Sequence, residues 1–230
     1  MDIHQALNWR AIWPVLSTLP AAEPLSILDA GCGDGAWCRR IARLRPRWRI
    51  VGMDRDAARL RAGTRIEQTE PLGNVRYVEG SFLTEIPGRF DVILSVASIH
   101  YAAAEGDGEL ALRHLAGALA PGGRLILLVP RCDVEQPVWR ALPRPRGWSV
   151  FTPAGAEALV RGAGLQVRSV EGLYGSWCVL GKQLAMWAGG SAVRRVVSLP
   201  LQGLIRATAF DLLRDGGRPS YALRLVAEIP

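Results

Sequence analysis

The chain has 230 residues, a formal net charge of +7 and an apolar share of 49%. This length and balance suit one folded domain with a sizeable core and exclude a disordered chain. The absence of any uncharged apolar run of about 18 residues argues against a membrane-spanning helix. The start Met1-Asp2-Ile3-His4 lacks the basic-then-apolar order of a signal peptide, so a cytoplasmic location is expected.

Residues 3–18 read as a helix that Pro14 should kink or restart. Leu25 to Asp29 is a short apolar strand running into glycines. Ala36 to Arg45 reads as a helix and Arg49 to Asp54 as a second strand, after which Asp56 is placed to cap the next helix. Val75 to Glu79 is a third strand, and the apolar run Phe90 to Val96 a buried central one. A helix over Glu109 to Ala120 should stop at Pro121-Gly122-Gly123, with a fifth strand from Arg124 to Val129. Residues 131–150 hold prolines, tryptophans and arginines and read as a long active-site loop. Thr152-Pro153 opens a helix that Gly164 ends, a cap residue followed by Pro at the first helical position. Leu165 to Val170 is a sixth strand, and Tyr221 to Ile229 alternates as a last one. The alternation of strands and helices predicts an α/β fold with a mostly parallel sheet covered on both faces. Within a single domain over 1–230, residues 1–24 are expected to form a helical lid. Residues 180–214 read as a helical cap inserted before the last strand, broken at Pro200.

The segment that carries chemistry is Ile27-Leu28-Asp29-Ala30-Gly31-Cys32-Gly33-Asp34-Gly35, between a strand and a helix. Glycines there let a ligand approach the backbone, and the helix start offers unpaired N–H donors. Two patterns fit it. Gly31, Gly33 and Ala36 match the dinucleotide fingerprint G-x-G-x-x-G/A. The same stretch matches D-x-G-x-G-x-G, with Asp29 two residues before the first glycine.

The second pattern resembles motif I of the class I S-adenosylmethionine (SAM)-dependent methyltransferases. SAM is cationic at its sulfonium end, which gives an acid at that point an electrostatic reason. Other segments fall in that family's order. Asp54 ends the second strand, where the resemblance implies a carboxylate accepting from both ribose hydroxyls, with Arg55 beside it. Gly80-Ser81-Phe82 follows the third strand, where the family contacts adenine; many members have Asp where this chain has Ser81. Phe90 to Ser95 looks like the fourth strand, and Leu119-Ala120-Pro121-Gly122-Gly123-Arg124-Leu125 like the family's L-x-P-G-G-x-L turn. The resemblance spans roughly residues 25–175 plus the final strand. It implies a Rossmann-like seven-stranded sheet, its last strand antiparallel and inserted beside the sixth. It also implies a SAM site built from Asp29, Gly31, Cys32, Gly33, Asp34, Gly35, Asp54, Arg55, Gly80, Ser81, Phe82 and Ser95. The cofactor would leave as S-adenosylhomocysteine, and no metal is expected.

His100-Tyr101 follows the fourth strand at the mouth of that site. His100 can serve as general base for methyl transfer, or shape the pocket. Trp9, Trp13, Trp148, Tyr174 and Trp177 fall in segments expected to surround the mouth, where they could hold an apolar acceptor or simply pack. Cys32, Cys38, Cys132 and Cys178 form no CxxC pair, so zinc and a disulfide framework are not expected. Of the basic residues only Lys182 is a lysine. The run Arg39, Arg40, Arg43, Arg45, Arg47 and Arg49 could face phosphate or form a solvated helix face. The basic, apolar stretch 180–214 could touch a membrane surface or a lipid-linked substrate.

The expected activity is methyl transfer to the oxygen of a small, fairly apolar metabolite. The alternatives are an RNA methyltransferase using the Arg-rich surface, a noncatalytic SAM-binding scaffold and, more remotely, an NAD-dependent oxidoreductase. Nucleic acid is not the expected partner.

Overall fold

The computed structural model describes residues 3–131, 149–173 and 222–230. Seven strands, β1 Ser26–Ala30, β2 Arg49–Asp54, β3 Val75–Glu79, β4 Phe90–Val96, β5 Leu119–Pro130, β6 Gln166–Leu173 and β7 Ala222–Glu228, form one sheet. Their order is β3-β2-β1-β4-β5-β7-β6. The first five run parallel, and β7 lies antiparallel between β5 and β6. This is the Rossmann-like arrangement expected from the sequence, last strand included.

The helices are α1 Ile3–Ser17, α2 Ala36–Leu44, α3 Ala57–Thr69, α4 Ile99–Ala104, α5 Gly108–Gly117 and α6 Pro153–Gly162. The sheet separates two apolar cores. On one face, Ile12 and Leu16 of α1, Ile41 of α2 and Leu60 of α3 pack over Ile27, Ile50, Val92, Leu94 and Ile126. On the other, Ile99 of α4, Leu112 and Leu115 of α5 and Val160 of α6 pack over Leu28, Met53, Ile93, Leu125 and Leu225. The alternation of β1 explains the split: Ile27 and Leu28 point to opposite faces of the pleat. Each fully buried Leu or Ile stabilises the fold by about 1.5–3 kcal/mol.

Several boundaries differ from expectation. Helix α1 runs through Pro14 without a restart. Pro14 is exposed, while Ile12 and Leu16 are buried and the Arg224 guanidinium donates to the Ala11 carbonyl at 2.6 Å. These contacts hold the helix against the sheet despite the N–H that proline lacks. Arg224 also pairs with Glu171, tying α1, β6 and β7 together. Helix α5 ends at Gly117, and Pro121-Gly122-Gly123 lies inside β5 as an irregularity where the register shifts between Phe90 and Val92. Strand β6 extends to Leu173, and α4 was not expected at all. Both expected caps form: Asp56 accepts from Ala58 and Arg59, and Thr152 from Gly155. Most of the 131–150 loop and all of 180–214 lie outside the described residues. Among the described residues no helix is long and apolar enough to cross a membrane.

The strand order places the site. The chain passes from β1 outward to β2 and β3, then returns to β4 on the other side of β1. Loops leaving β1 and β4 therefore diverge, opening a crevice at their carboxyl ends, where open α/β sheets bind ligands.

Candidate active site

The floor of the crevice is the loop from Gly31 to Gly35. Gly31, Gly33 and Gly35 all take left-handed conformations, at φ +85°, +61° and +72°, which glycine adopts without strain. A side chain at Gly31 would also collide with Ser98. The loop is pinned from below: the N–H groups of Gly31 and Cys32 both donate to the Met53 carbonyl, at 2.7 and 3.0 Å.

Asp54, at the end of β2, is nearly buried. One carboxylate oxygen accepts from the Gly33 N–H at 2.7 Å, and the other from the Asp56 N–H at 2.9 Å. The carboxylate thus holds the glycine loop and the start of α3 in place. Each oxygen has a second lone pair, so acceptor capacity remains for a ligand hydroxyl. Arg55 is exposed beside it. The Gly80 N–H donates to the Asp54 carbonyl, Ser81 Oγ accepts from the Leu83 N–H, and the Phe82 ring lies toward Gly31. The structure therefore brings Gly31 to Gly35, Asp54, Arg55 and Gly80 to Phe82 to one end of the sheet.

The β4 side closes the crevice. Ser98 Oγ donates to the Ala30 carbonyl at 2.8 Å and lies 2.7 Å from Ser95 Oγ. Ser95 is wholly buried, and its hydroxyl is used inside this bridge. Ala97 stands at φ +52°, turning the chain sharply between β4 and α4. The turn delivers His100 and Tyr101. The His100 ring is buried, lies 4.3 Å from the Tyr101 ring centre, and has its pKa pushed by burial down to about 4. Tyr101 is exposed. The His100 carbonyl accepts from the Ser149 N–H, and Phe151 bridges to Arg131 at the end of β5. Ser149, at one described end of the long loop, thus lies beside His100.

Asp29 sits one layer beneath. It is buried, and its carboxylate accepts from the Cys38 thiol at 3.4 Å. Burial, partly countered by that thiol and reinforced by Asp54, raises its pKa to about 7. Asp34, just before the Gly35 N-cap of α2, accepts from the Ala36 N–H at 3.2 Å.

Several supporting roles went unseen in the sequence, among them that of Arg39, read there as facing phosphate or solvent. Arg39, buried on α2, donates to the Asp34 carbonyl and to Tyr77 Oη of β3. Burial pushes the Tyr77 phenol up to about 12, so it keeps its proton, and it donates to the Gly35 carbonyl at 3.5 Å. His114 Nδ1 lies 3.1 Å from the Phe82 carbonyl. Gly63, inside α3, faces the Asp34 carbonyl, which would stand 2.5 Å from a Cβ. A lone glycine in a helical pattern was the one available signal. Gly63→Ala should therefore destabilise the protein by about 1–2 kcal/mol in urea unfolding, although alanine in an open helix position would stabilise it.

The tryptophans do other work. Trp9 stacks on Trp13 and on Trp37, with ring centres 4.9 and 5.7 Å apart, and Arg40 lies over Trp9. Trp9 is buried, so these rings dock α1 on α2 along the face of the sheet. Trp148, Tyr174 and Trp177 lie outside the described residues. The arginine run is also largely committed internally. Arg43 pairs with Glu70, Arg45 lies over Trp13 and Trp48, and Arg47 donates to the Ala22 carbonyl. Among the described residues no group of His, Cys, Asp and Glu is arranged to hold a metal.

Comparison with known proteins agrees with this geometry. A family described as a methyltransferase domain matches residues 28–125. An uncharacterized methyltransferase of Mycobacterium bovis is 34% identical over 125 residues, 52% of this chain and 59% of its own length. A trans-aconitate 2-methyltransferase of Deinococcus radiodurans is 31% identical over 113 residues, 49% of this chain and 40% of its own. The chain thus spans less than two thirds of the curated relatives it matches. The solved structure of Haemonchus contortus phosphoethanolamine N-methyltransferase 2 with SAM superposes with a TM-score of 0.69 at 16% identity, over 96% of this chain and 53% of that one. The glycine loop, the acid ending β2 and the antiparallel last strand, together with the methyltransferase domain matched over residues 28–125, support a class I SAM-dependent methyltransferase.

Proposed function

We propose that the protein transfers a methyl group from SAM to an oxygen of a small, fairly apolar acceptor. The observation that supports this best is the crevice between β1 and β4. There a floor that carries three left-handed glycines meets the Asp54 carboxylate on one side and His100 on the other. SAM would supply an electrophilic methyl on a sulfonium. Asp54 would accept from the ribose hydroxyls, Ser81, Phe82 and Arg55 would border the adenine, and the 31–35 backbone would line the methionine end, with Asp29 and Ser95 beneath.

His100 is the proposed base. Burial keeps it neutral at neutral pH, so it is in the form that accepts a proton. A base this weak cannot deprotonate an ordinary alcohol, so the acceptor oxygen should itself be acidic, as in a phenol or enol. Tyr101, exposed beside it, would border the acceptor. The burial of Arg39 and the stacking of Arg40 and Arg45 on tryptophan rings support a small acceptor over RNA.

The test is calorimetric titration with SAM, S-adenosylhomocysteine and NAD, followed by a screen of acidic hydroxyl acceptors. Binding of the two adenosyl ligands without NAD is expected. SAM binding without turnover on any acceptor would favour a scaffold role. His100→Ala should bind SAM as the parent does and lose about 100-fold or more in turnover. Full rate across pH in that variant would remove His100 from the mechanism.

A further inference from the structure

The alignment of three neighbouring strands creates an unusual space beneath the cofactor loop. Asp29, Gly52 and Tyr77 stand side by side in register on β1, β2 and β3. Side chains at paired positions of a parallel sheet share one face, so Gly52 leaves a gap between the carboxylate and the phenol ring. Two thiols fill it. A Cβ at Gly52 would stand 2.9 Å from Cys32 Sγ and 2.9 Å from Cys38 Sγ. Cys32 lies in the glycine loop, between Gly31 and Gly33. Cys38 lies in the first turn of α2, six residues on. Both are reduced in this structure.

We propose that Cys32 and Cys38 are an oxidation site, a dithiol that closes to a disulfide under hydroperoxide and disables the cofactor loop. The neighbouring Cys32 thiol, then burial and Asp29, hold the Cys38 thiol well above the ordinary range, which makes Cys38 the second partner rather than the first. Cys32, on the floor of the crevice and not wholly buried, is the point of entry. Its sulfur attacks the peroxide, the O–O bond breaks, and a sulfenic acid forms with release of an alcohol or water. Cys38 then attacks the Cys32 sulfur. The S–O bond breaks, and the thiol proton passes by way of the Asp29 oxygen 3.4 Å away to the departing hydroxide, which leaves as water. Two thiols are oxidised and one hydroperoxide is reduced.

The consequence follows from geometry. A disulfide needs its Cβ atoms about 3.5–4.5 Å apart. Cys32 Sγ, now 3.7 Å from the Gly33 carbonyl, would leave that contact as it closes on the Cys38 sulfur. The adjoining backbone follows, and the Gly33 N–H is drawn off the Asp54 carboxylate that it meets at 2.7 Å.

The inference rests on the SAM reading of the site, so SAM binding to the reduced protein is measured first. Its absence there would sink that reading and leave the disulfide itself testable by mass. The tryptic peptide from Ala11 to Arg39 carries both thiols and no other cysteine. After hydrogen peroxide it should lose two hydrogens, resist alkylation and regain both thiols with dithiothreitol. The oxidised full chain should bind SAM roughly tenfold or more weakly by calorimetry, reversibly. Cys38→Ser should keep its SAM affinity under the same treatment. A peptide that still alkylates twice after peroxide would overturn the proposal, and so would a disulfide that leaves SAM affinity unchanged.

Discussion

Asp54→Ala is expected to weaken SAM binding by about 100-fold and to lower stability by about 1–3 kcal/mol, because two functions rest on one carboxylate. One is the proposed recognition of the cofactor hydroxyls. The other is internal: the carboxylate accepts from the Gly33 and Asp56 N–H groups. Gly33 is buried, so its N–H would lose its acceptor with no access to water, whereas Asp56 is exposed and its N–H can be hydrated. Calorimetry reads the first effect and urea unfolding the second. Asp56→Ala separates them. That change removes only the cap that accepts from Ala58 and Arg59, costs about 1 kcal/mol, and leaves Gly33 held. Its SAM affinity should stay within about threefold of the parent. If both variants lose SAM equally, the start of α3, not the Asp54 carboxylate, governs the site.

This double duty marks the boundary of what the sequence carries. The order of strands, the glycine loop, the acid at the end of β2 and the caps at Asp56 and Thr152 are local signals, and each is legible because its chemistry lies within a few residues. The bridge from Ser95 through Ser98 to the Ala30 carbonyl joins positions 68 apart and has no local signature. The same holds for Arg39, whose guanidinium reaches Tyr77 38 positions away. Pro121-Gly122-Gly123 reads as a helix stop, but α5 already ends at Gly117. The same residues continue β5, because pairing with Phe90 already begins at Leu119. Helix α4 is too short for a periodic pattern. Trp9 and Trp13 show the reverse problem. Their spacing predicts a shared helix face correctly, but an aromatic face facing a pocket and one facing Trp37 look identical in sequence.

Two buried groups with opposite shifts give a pH prediction. Asp29 has its pKa raised from 3.8 to about 7. A raised acid favours the folded state while protonated, so its contribution is full below about pH 4 and is lost as pH rises to about 7, by about 1.4 kcal/mol per unit. His100 has its pKa lowered from 6.5 to about 4. A lowered base favours the folded state while neutral, so its contribution is full above about pH 6.5 and is lost as pH falls toward 4. Over about pH 4.5 to 6.5 the slopes cancel, and these two groups leave the stability of the free protein nearly flat. Asp29→Asn removes one slope. Its stability should rise with pH through that window by about 1.4 kcal/mol per unit and exceed the parent's by about 2–4 kcal/mol at pH 8. Urea unfolding at a series of pH values reads both. Cofactor affinity should move the other way. The parent should bind SAM more tightly as pH rises through 7 and Asp29 ionises beneath the sulfonium end, whereas Asp29→Asn should bind it more weakly and with no such rise. A variant that is no more stable at pH 8, or that keeps the parent's pH dependence for SAM, would show that Asp29 is already ionised in the free protein.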